Sequence, residues 1–224
     1  MPDPRPQFPP ARSEVEQLQS YSAPLEGRRG MLRLDFNENS VGPSPKVVEA
    51  IRSIPAEHYA IYPEYDGLRE AFSQSLGGLP YEQIGLFNGV DAALNAICQA
   101  YGNPGDVMLT TNPTFGYYQP CARMQGMVVN AIPYEGDDYR FPLQDMQRAL
   151  AQLNPRLLLL CNPNNPTGTR LGAEAICQLA AAAPSTLVVV DELYEAFTGD
   201  SVLPQADFSA TPNLLVLRSL SKTA

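Results

Sequence analysis

The 224-residue chain has no tryptophan, a single histidine (His58) and only two lysines, Lys46 and Lys222; the other 13 of its 15 basic residues are arginine. A Ser-His-Asp triad would therefore have one base to draw on. The four cysteines, Cys98, Cys121, Cys161 and Cys177, form no Cys-x-x-Cys pair, and with one histidine they give no metal-ligand spacing. They read as reduced core thiols. Basic charge is in deficit, 15 residues against 24 acidic ones, for a net charge of −9. That argues against a nucleic-acid binder working through a broad basic surface. No apolar run approaches the ~18 residues of a membrane span. The opening Met1–Glu14 stretch lacks the apolar core of a secretory signal. These absences together lead to the expectation of a cytoplasmic protein. What the chain does have is 44% hydrophobic residues, enough for a packed core, at the length of one large domain.

The first 13 residues are proline-rich and read as a flexible arm. Met31–Phe36 alternates like a short strand, and Ser44-Pro45 reads as an N-cap and first helical residue of a helix running through Ile51. A second helix opens at Asp66 and stops at Gly77-Gly78. From there strand and helix signals alternate. Ile84–Phe87, Val107–Thr111, Met127–Ile132, Leu157–Leu160, Leu187–Val190 and Leu214–Leu217 read as strands. Asp91–Tyr101, Leu143–Leu153 and Ala173–Ala183 read as helices. The solid apolar runs are those of strands buried on both sides, so the pattern predicts an α/β fold with a mostly parallel sheet and helices on both faces.

In such sheets ligands bind beyond the carboxyl ends of the strands. Five of the strand ends supply Asn88-Gly89-Val90-Asp91 at a helix start, Asn112–Tyr118 with Phe115, Asn162–Gly168 with Asn165, Asp191–Tyr194, and Arg218–Lys222. A serine-flanked lysine near apolar walls is an amine nucleophile suited to an aldehyde. The cofactor that needs such a Schiff-base lysine, with an acid at its ring nitrogen, is pyridoxal 5′-phosphate (PLP). Asp191 fits the acid. Tyr194 and Asn165 are placed to bond the ring's 3′ oxygen, and Phe115 to stack on the ring, although Phe115 alone reads better as core packing. The helix start at Gly89-Val90-Asp91 offers free N–H groups to the phosphate, with hydroxyls from Ser219 and Ser221 nearby.

On these residues the sequence resembles the fold-type-I PLP-dependent aminotransferases (class I/II), and among them the histidinol-phosphate aminotransferases. The matching stretches are Leu34–Asn39 with Gly42–Pro45, Tyr62–Glu64, Gly89–Asp91, Pro113–Tyr118, Asn162–Gly168, Asp191–Tyr194 and Ser219–Lys222, in the family's order. The resemblance implies that Lys222 carries the Schiff base, Asp191 pairs with the ring nitrogen, and Tyr194 and Asn165 bond the 3′ oxygen. It also implies that Phe115 stacks, and that Gly89, Val90, Asp91 and Ser219 hold the phosphate. Lys222, Asp191 and Tyr194 would be the catalytic set. Tyr62 would reach the phosphate of a neighbouring subunit, which implies a homodimer. Tyr21 and Asn37 would face the substrate. The domain division implied is an arm over 1–30, the first part of a small domain and dimer segment over 31–60, and the PLP-binding large domain over 61–224.

Four positions depart from the family pattern: Ala92 for an acid, Ser40 for a proline, Phe115 for a tyrosine and Leu193 for an alanine. The chain also stops two residues after Lys222, short of the arginines that grip substrate in the family. The expectation is therefore a C-terminally truncated chain. The expected chemistry is transamination between glutamate and a phosphorylated oxo substrate, giving histidinol phosphate in histidine biosynthesis. The alternatives are a threonine-phosphate decarboxylase-like enzyme, an aromatic aminotransferase, or an inactive fragment. No metal, nucleic-acid or membrane partner is expected.

Overall fold

The computed structural model describes residues 9–18 and 25–223, which leaves Tyr21 outside the described residues. Twelve regular elements matter here. In chain order they are helix α1 (Ser13–Glu16), α2 (Pro45–Arg52), α3 (Asp66–Ser75), α4 (Gly89–Tyr101), strand β1 (Val107–Asn112), α5 (Tyr118–Met124) and β2 (Val128–Pro133), followed by α6 (Leu143–Leu153), β3 (Leu157–Cys161), α7 (Ala173–Ala182), β4 (Leu187–Asp191) and β5 (Leu214–Leu217).

The five strands form one parallel sheet in the order β2-β1-β3-β4-β5. From β1 the chain steps outward to β2, crosses back to β3, then proceeds through β4 to β5. The switch in direction therefore lies between β1 and β3. Alternate strand residues feed two cores. Leu109, Leu158, Leu160, Val188, Val190 and Leu214 pack with Met146, Leu150, Ile176 and Leu179 of α6 and α7. Met108, Leu157, Leu159, Cys161 and Val189 pack on the other face with Leu94, Ile97 and Cys98 of α4 and Tyr118 and Cys121 of α5. Strand β3, buried at every position, belongs to both. Removing this much apolar surface from water, at about 25 cal/mol per Å², is what holds the layers together.

The N-terminal third is built differently. Ser44 Oγ accepts from the Val47 N–H at 3.4 Å and Pro45 opens α2, as the sequence predicts. Helix α3 ends where Gly77 and Gly78 take φ of +77° and +87°, conformations open to glycine. Neither α2 nor α3 buries a residue.

Two predicted strands are absent. Met31–Phe36 joins no strand among the described residues: Leu32 and Leu34 are 86% and 79% exposed, so its alternation has no sheet face to bury. Instead Arg28 gathers this stretch, bonding Asp35 at 2.6 and 2.9 Å and Glu38 at 3.2 Å, with its guanidinium 4.2 Å from the Phe36 ring. Ile84–Phe87 is also unpaired; it turns directly into α4 through a Gly89 N–H to Phe87 C=O bond. Helices α1 and α5 are elements the sequence reading lacked, and α5 is the one that reaches the core. Its Pro120 sits in the first turn, where a backbone N–H needs no helical partner, so proline is tolerated. Among the described residues no helix is long and apolar enough to cross a membrane.

Candidate active site

The carboxyl ends of β1, β3, β4 and β5 lie along one edge of the sheet, because all the strands run in parallel, and Asp91 in the first turn of α4 interacts electrostatically with Asp191 and Lys222 there. Hydrogen bonds lock the loops beyond them. Thr114 Oγ1 donates to Asn164 Oδ1 at 2.7 Å, while Asn164 Nδ2 donates to the Pro113 carbonyl at 3.0 Å and to Thr167 Oγ1 at 2.8 Å. Asn162 holds Leu171 from both ends of its amide. The Asn162 N–H donates to the Asp191 carbonyl and the Glu192 N–H to the Leu217 carbonyl, extending the sheet past its formal ends.

Asp191 closes β4 and is buried beside its register partner Cys161. Its Oδ2 accepts from Tyr118 OH at 2.8 Å and its Oδ1 from the Leu193 N–H at 3.2 Å. Burial pushes the carboxyl up to about 6, against the pull of those two hydrogen bonds; the nearby charges of Asp91 and Glu192 add to the rise. The Tyr118 phenol is driven well above its ordinary value, chiefly by burial and then by Asp191, so it is a committed donor.

Lys222 is half-buried, and its Nζ donates to the Phe36 carbonyl at 2.7 Å. Desolvation raises the Asp91 carboxyl while the Lys222 ammonium pulls it back, which places lysine and helix start in one electrostatic neighbourhood. Asn37 lies next to Phe36 with φ of 52° and donates from Nδ2 to Tyr194 OH at 2.9 Å. The Phe36–Asn37 segment thus touches both Lys222 and Tyr194. No side chain caps α4, and Gly89 (φ +81°) has open space where a Cβ would stand. Its first turn therefore presents N–H groups and a positive dipole end. Val90 is buried beneath that turn.

Ser219 Oγ donates to Ser221 Oγ at 3.0 Å and accepts the Ser221 N–H at 3.1 Å, shaping the turn that carries Lys222. Phe115 is half-buried and meets Tyr118 edge-on, with centroids 5.6 Å apart. The Asn165 N–H donates to Cys161 Sγ at 3.4 Å. The structure therefore gathers Asp191, Lys222, Tyr194, Asn37 and Asp91 around the sheet's end. Tyr62 stands apart, 98% exposed.

Three contributors carried no role in the sequence reading. Tyr118 is one; its spacing with Cys121 and Ala122 on one helical face is the signal that would have marked it as buried. The others are Glu192 and Arg218. Glu192 is fully buried, accepting from Val202 N–H at 2.6 Å, Ser201 Oγ at 2.8 Å and Arg218 Nη1 at 3.2 Å. Arg218 also pairs with Glu195. This pair ties the turn after β5 to the end of β4.

A buried aspartate, a lysine and an open helix start thus lie beyond the carboxyl ends of a parallel sheet, the edge where open α/β folds bind ligands. The aminotransferase class I and II family matches residues 29–224, and the chain belongs to that family. It is 35% identical over 222 residues to histidinol-phosphate aminotransferase of Symbiobacterium thermophilum, covering 94% of this chain and 60% of that protein. It is 36% identical over 229 residues to the enzyme of the same name from Roseiflexus castenholzii, covering 95% and 60%. Among solved structures, histidinol-phosphate aminotransferase of Sinorhizobium meliloti in complex with pyridoxal 5′-phosphate superposes with a TM-score of 0.83 at 28% identity, covering 96% of this chain and 60% of that one. The chain thus spans about 60% of the length of these relatives.

Proposed function

We propose that this chain carries the PLP site of a histidinol-phosphate aminotransferase, exchanging an amino group between glutamate and a phosphorylated imidazole oxo compound in histidine biosynthesis. The observation that carries the reading is the meeting of Lys222, Asp191 and the uncapped α4 start at one sheet end. The donor set fits the group. An amine suits its aldehyde, a buried carboxylate its ring nitrogen, and a helix start with Ser219 its phosphate.

When bound, PLP supplies an aldehyde for imine formation and an electron-withdrawing ring that stabilises negative charge on the substrate α-carbon. Lys222 Nζ would hold the aldehyde and, when free, would serve as the base and then the acid for the substrate α-proton. Asp191 keeps the ring nitrogen protonated: an ion pair formed in this low-dielectric setting favours its charged form and relieves its raised pKa. Tyr194 OH and the Asn165 amide would bond the 3′ oxygen, and Phe115 would cover a ring face. Val90 and Asp91 would offer backbone N–H groups to the phosphate, with Gly89 leaving the approach open because it has no side chain, and the Ser219 hydroxyl would join them. Asn37, held against Tyr194, faces the substrate, with Tyr21 assigned the same role. For Lys222 to react, its bond to the Phe36 carbonyl must open.

The exposure of Tyr62 supports its reaching a second copy's phosphate in a homodimer. The sparsely buried 31–60 stretch is read as small-domain and dimer segment, and 61–224 as the PLP-binding domain, in a cytoplasmic enzyme. The test supplies the chain with PLP, glutamate and imidazole acetol phosphate and follows histidinol phosphate by mass spectrometry. The Lys222→Ala variant is expected to lose about a thousandfold, the scale of a missing acid–base group. Turnover unaffected by that variant, or carbon dioxide released from threonine phosphate instead, would overturn the assignment.

A further inference from the structure

We propose that Tyr118 is the positioning residue for the ring-nitrogen carboxylate: its hydroxyl, donated to Asp191 Oδ2, keeps that carboxylate ionised and turned toward the site. The inference rests on the PLP reading above and adds a residue to it.

Tyr118 opens α5 and is fully buried. Its ring fills a slot in the α4–α5 core, against Phe115 edge-on at 5.6 Å and an interplanar angle of 87°. A phenylalanine would fill the same slot. The hydroxyl therefore answers to something other than packing, since a buried O–H is costly unless it has an acceptor. Its acceptor is Asp191 Oδ2, 2.8 Å away. The other carboxylate oxygen is held by the Leu193 N–H at 3.2 Å. Each oxygen thus receives one donor, which fixes the plane of the group.

The charged and titratable groups around Asp191 sharpen the point. Cys161, from β3, is a thiol pushed up to about 12 by burial and is neutral. Glu192, its neighbour on β4, and Asp91, on α4, both act to discourage ionisation of Asp191. Lys222 faces Asp91. Tyr118, from α5, is the side-chain donor that opposes burial and these two acids. Without it, the carboxyl would protonate at a higher pH, and a neutral acid would not hold a protonated ring nitrogen.

The experiment uses the full chain, wild type and Tyr118→Phe, each verified as folded by thermal melting. PLP affinity is titrated by fluorescence from pH 5 to 9, and borohydride reduction with peptide mapping reports attachment at Lys222. Tyr118→Phe is expected to keep Lys222 labelling while the acidic midpoint of the affinity profile rises by about one pH unit, a roughly tenfold weakening below the midpoint. In an Asp191→Asn background the same substitution is expected to change affinity by less than twofold. An unmoved midpoint, or an equal loss in the Asp191→Asn background, would show that Tyr118 only packs and would overturn the proposal. If Tyr118→Phe fails to fold, a fluorotyrosine placed at position 118 keeps the ring and makes the phenol a stronger donor. The midpoint must then fall, and a midpoint that stays put overturns the proposal equally. Absence of Lys222 labelling in the wild type is a different result: it removes the PLP reading itself.

Discussion

Asp191 concentrates the opposition between stability and chemistry in a single side chain. Its folded carboxyl stands at about 6, above an ordinary value of 3.8, because burial disfavours the charge. A raised folded value means that Asp191 contributes stability in its protonated form: the contribution is complete below about pH 4 and lost as pH rises through about 6. Without cofactor, Asp191→Asn is therefore expected to stabilise the chain at pH 7.5 by about 3 kcal/mol, with the gain vanishing near pH 4. Melting curves at the two pH values check this, and a destabilised variant at pH 7.5 would contradict it. Lys222, Asp191 and Tyr194 were legible in the sequence because chemistry-bearing residue types stand directly after apolar strands. Tyr118 was not, because a tyrosine in a Pro-Thr-Phe-Gly-Tyr-Tyr run looks like loop until its burial is known. Tyr62 was legible as a motif, yet it lies on the surface, away from the residues gathered at the sheet's end.

The elements divide by whether local pattern and tertiary packing agree. Strand β5 and helix α6 match the predicted limits, and β1, β3 and β4 extend theirs by one residue, since sheet pairing continues to Asn112, Cys161 and Asp191. The failures, 31–36 and 84–87, are runs whose local pattern found no partner strand, a fact no single-chain periodicity carries. One residue between elements does more than its position suggests. Asn213 Nδ2 lies 2.9–3.0 Å from the carbonyls of Ala180, Ala183 and Thr186, so it ties the C-terminal end of α7 to the start of β5. Asn213→Ala is expected to cost about 1–2 kcal/mol, the loss of three bonds and of the side-chain donor to the buried Thr186 carbonyl, measurable by urea unfolding. Ser44→Ala, which removes the α2 cap on an exposed helix, is expected to cost about 1 kcal/mol or less in the same assay.

At the scale of the molecule, the protein is one sheet packed densely between two layers of helices, with a thinly anchored N-terminal third. No residue of α2 or α3 is buried, whereas β3 is buried throughout. Hydrogen exchange is therefore expected to be fastest over 31–87 and slowest in β1, β3 and β4, where opening requires disrupting both cores. Uniform protection would contradict this division. The Asp35–Asn39 segment links the two regions: Arg28 grips it at Asp35 and Glu38, and it bonds Lys222 and Tyr194. Its seat over the lysine was invisible to sequence reasoning, because Phe36 contributes through its backbone carbonyl, which no residue type announces.

The central claim is that this fold makes Lys222 a cofactor-binding amine. The most direct measurement is borohydride reduction of the chain with PLP, followed by mapping of the modified peptide. Two lysines make the assay its own control. The account predicts a single label on Lys222 that disappears in Lys222→Ala, with Lys46 untouched. No label, or equal labelling of Lys46 and Lys222, would contradict it.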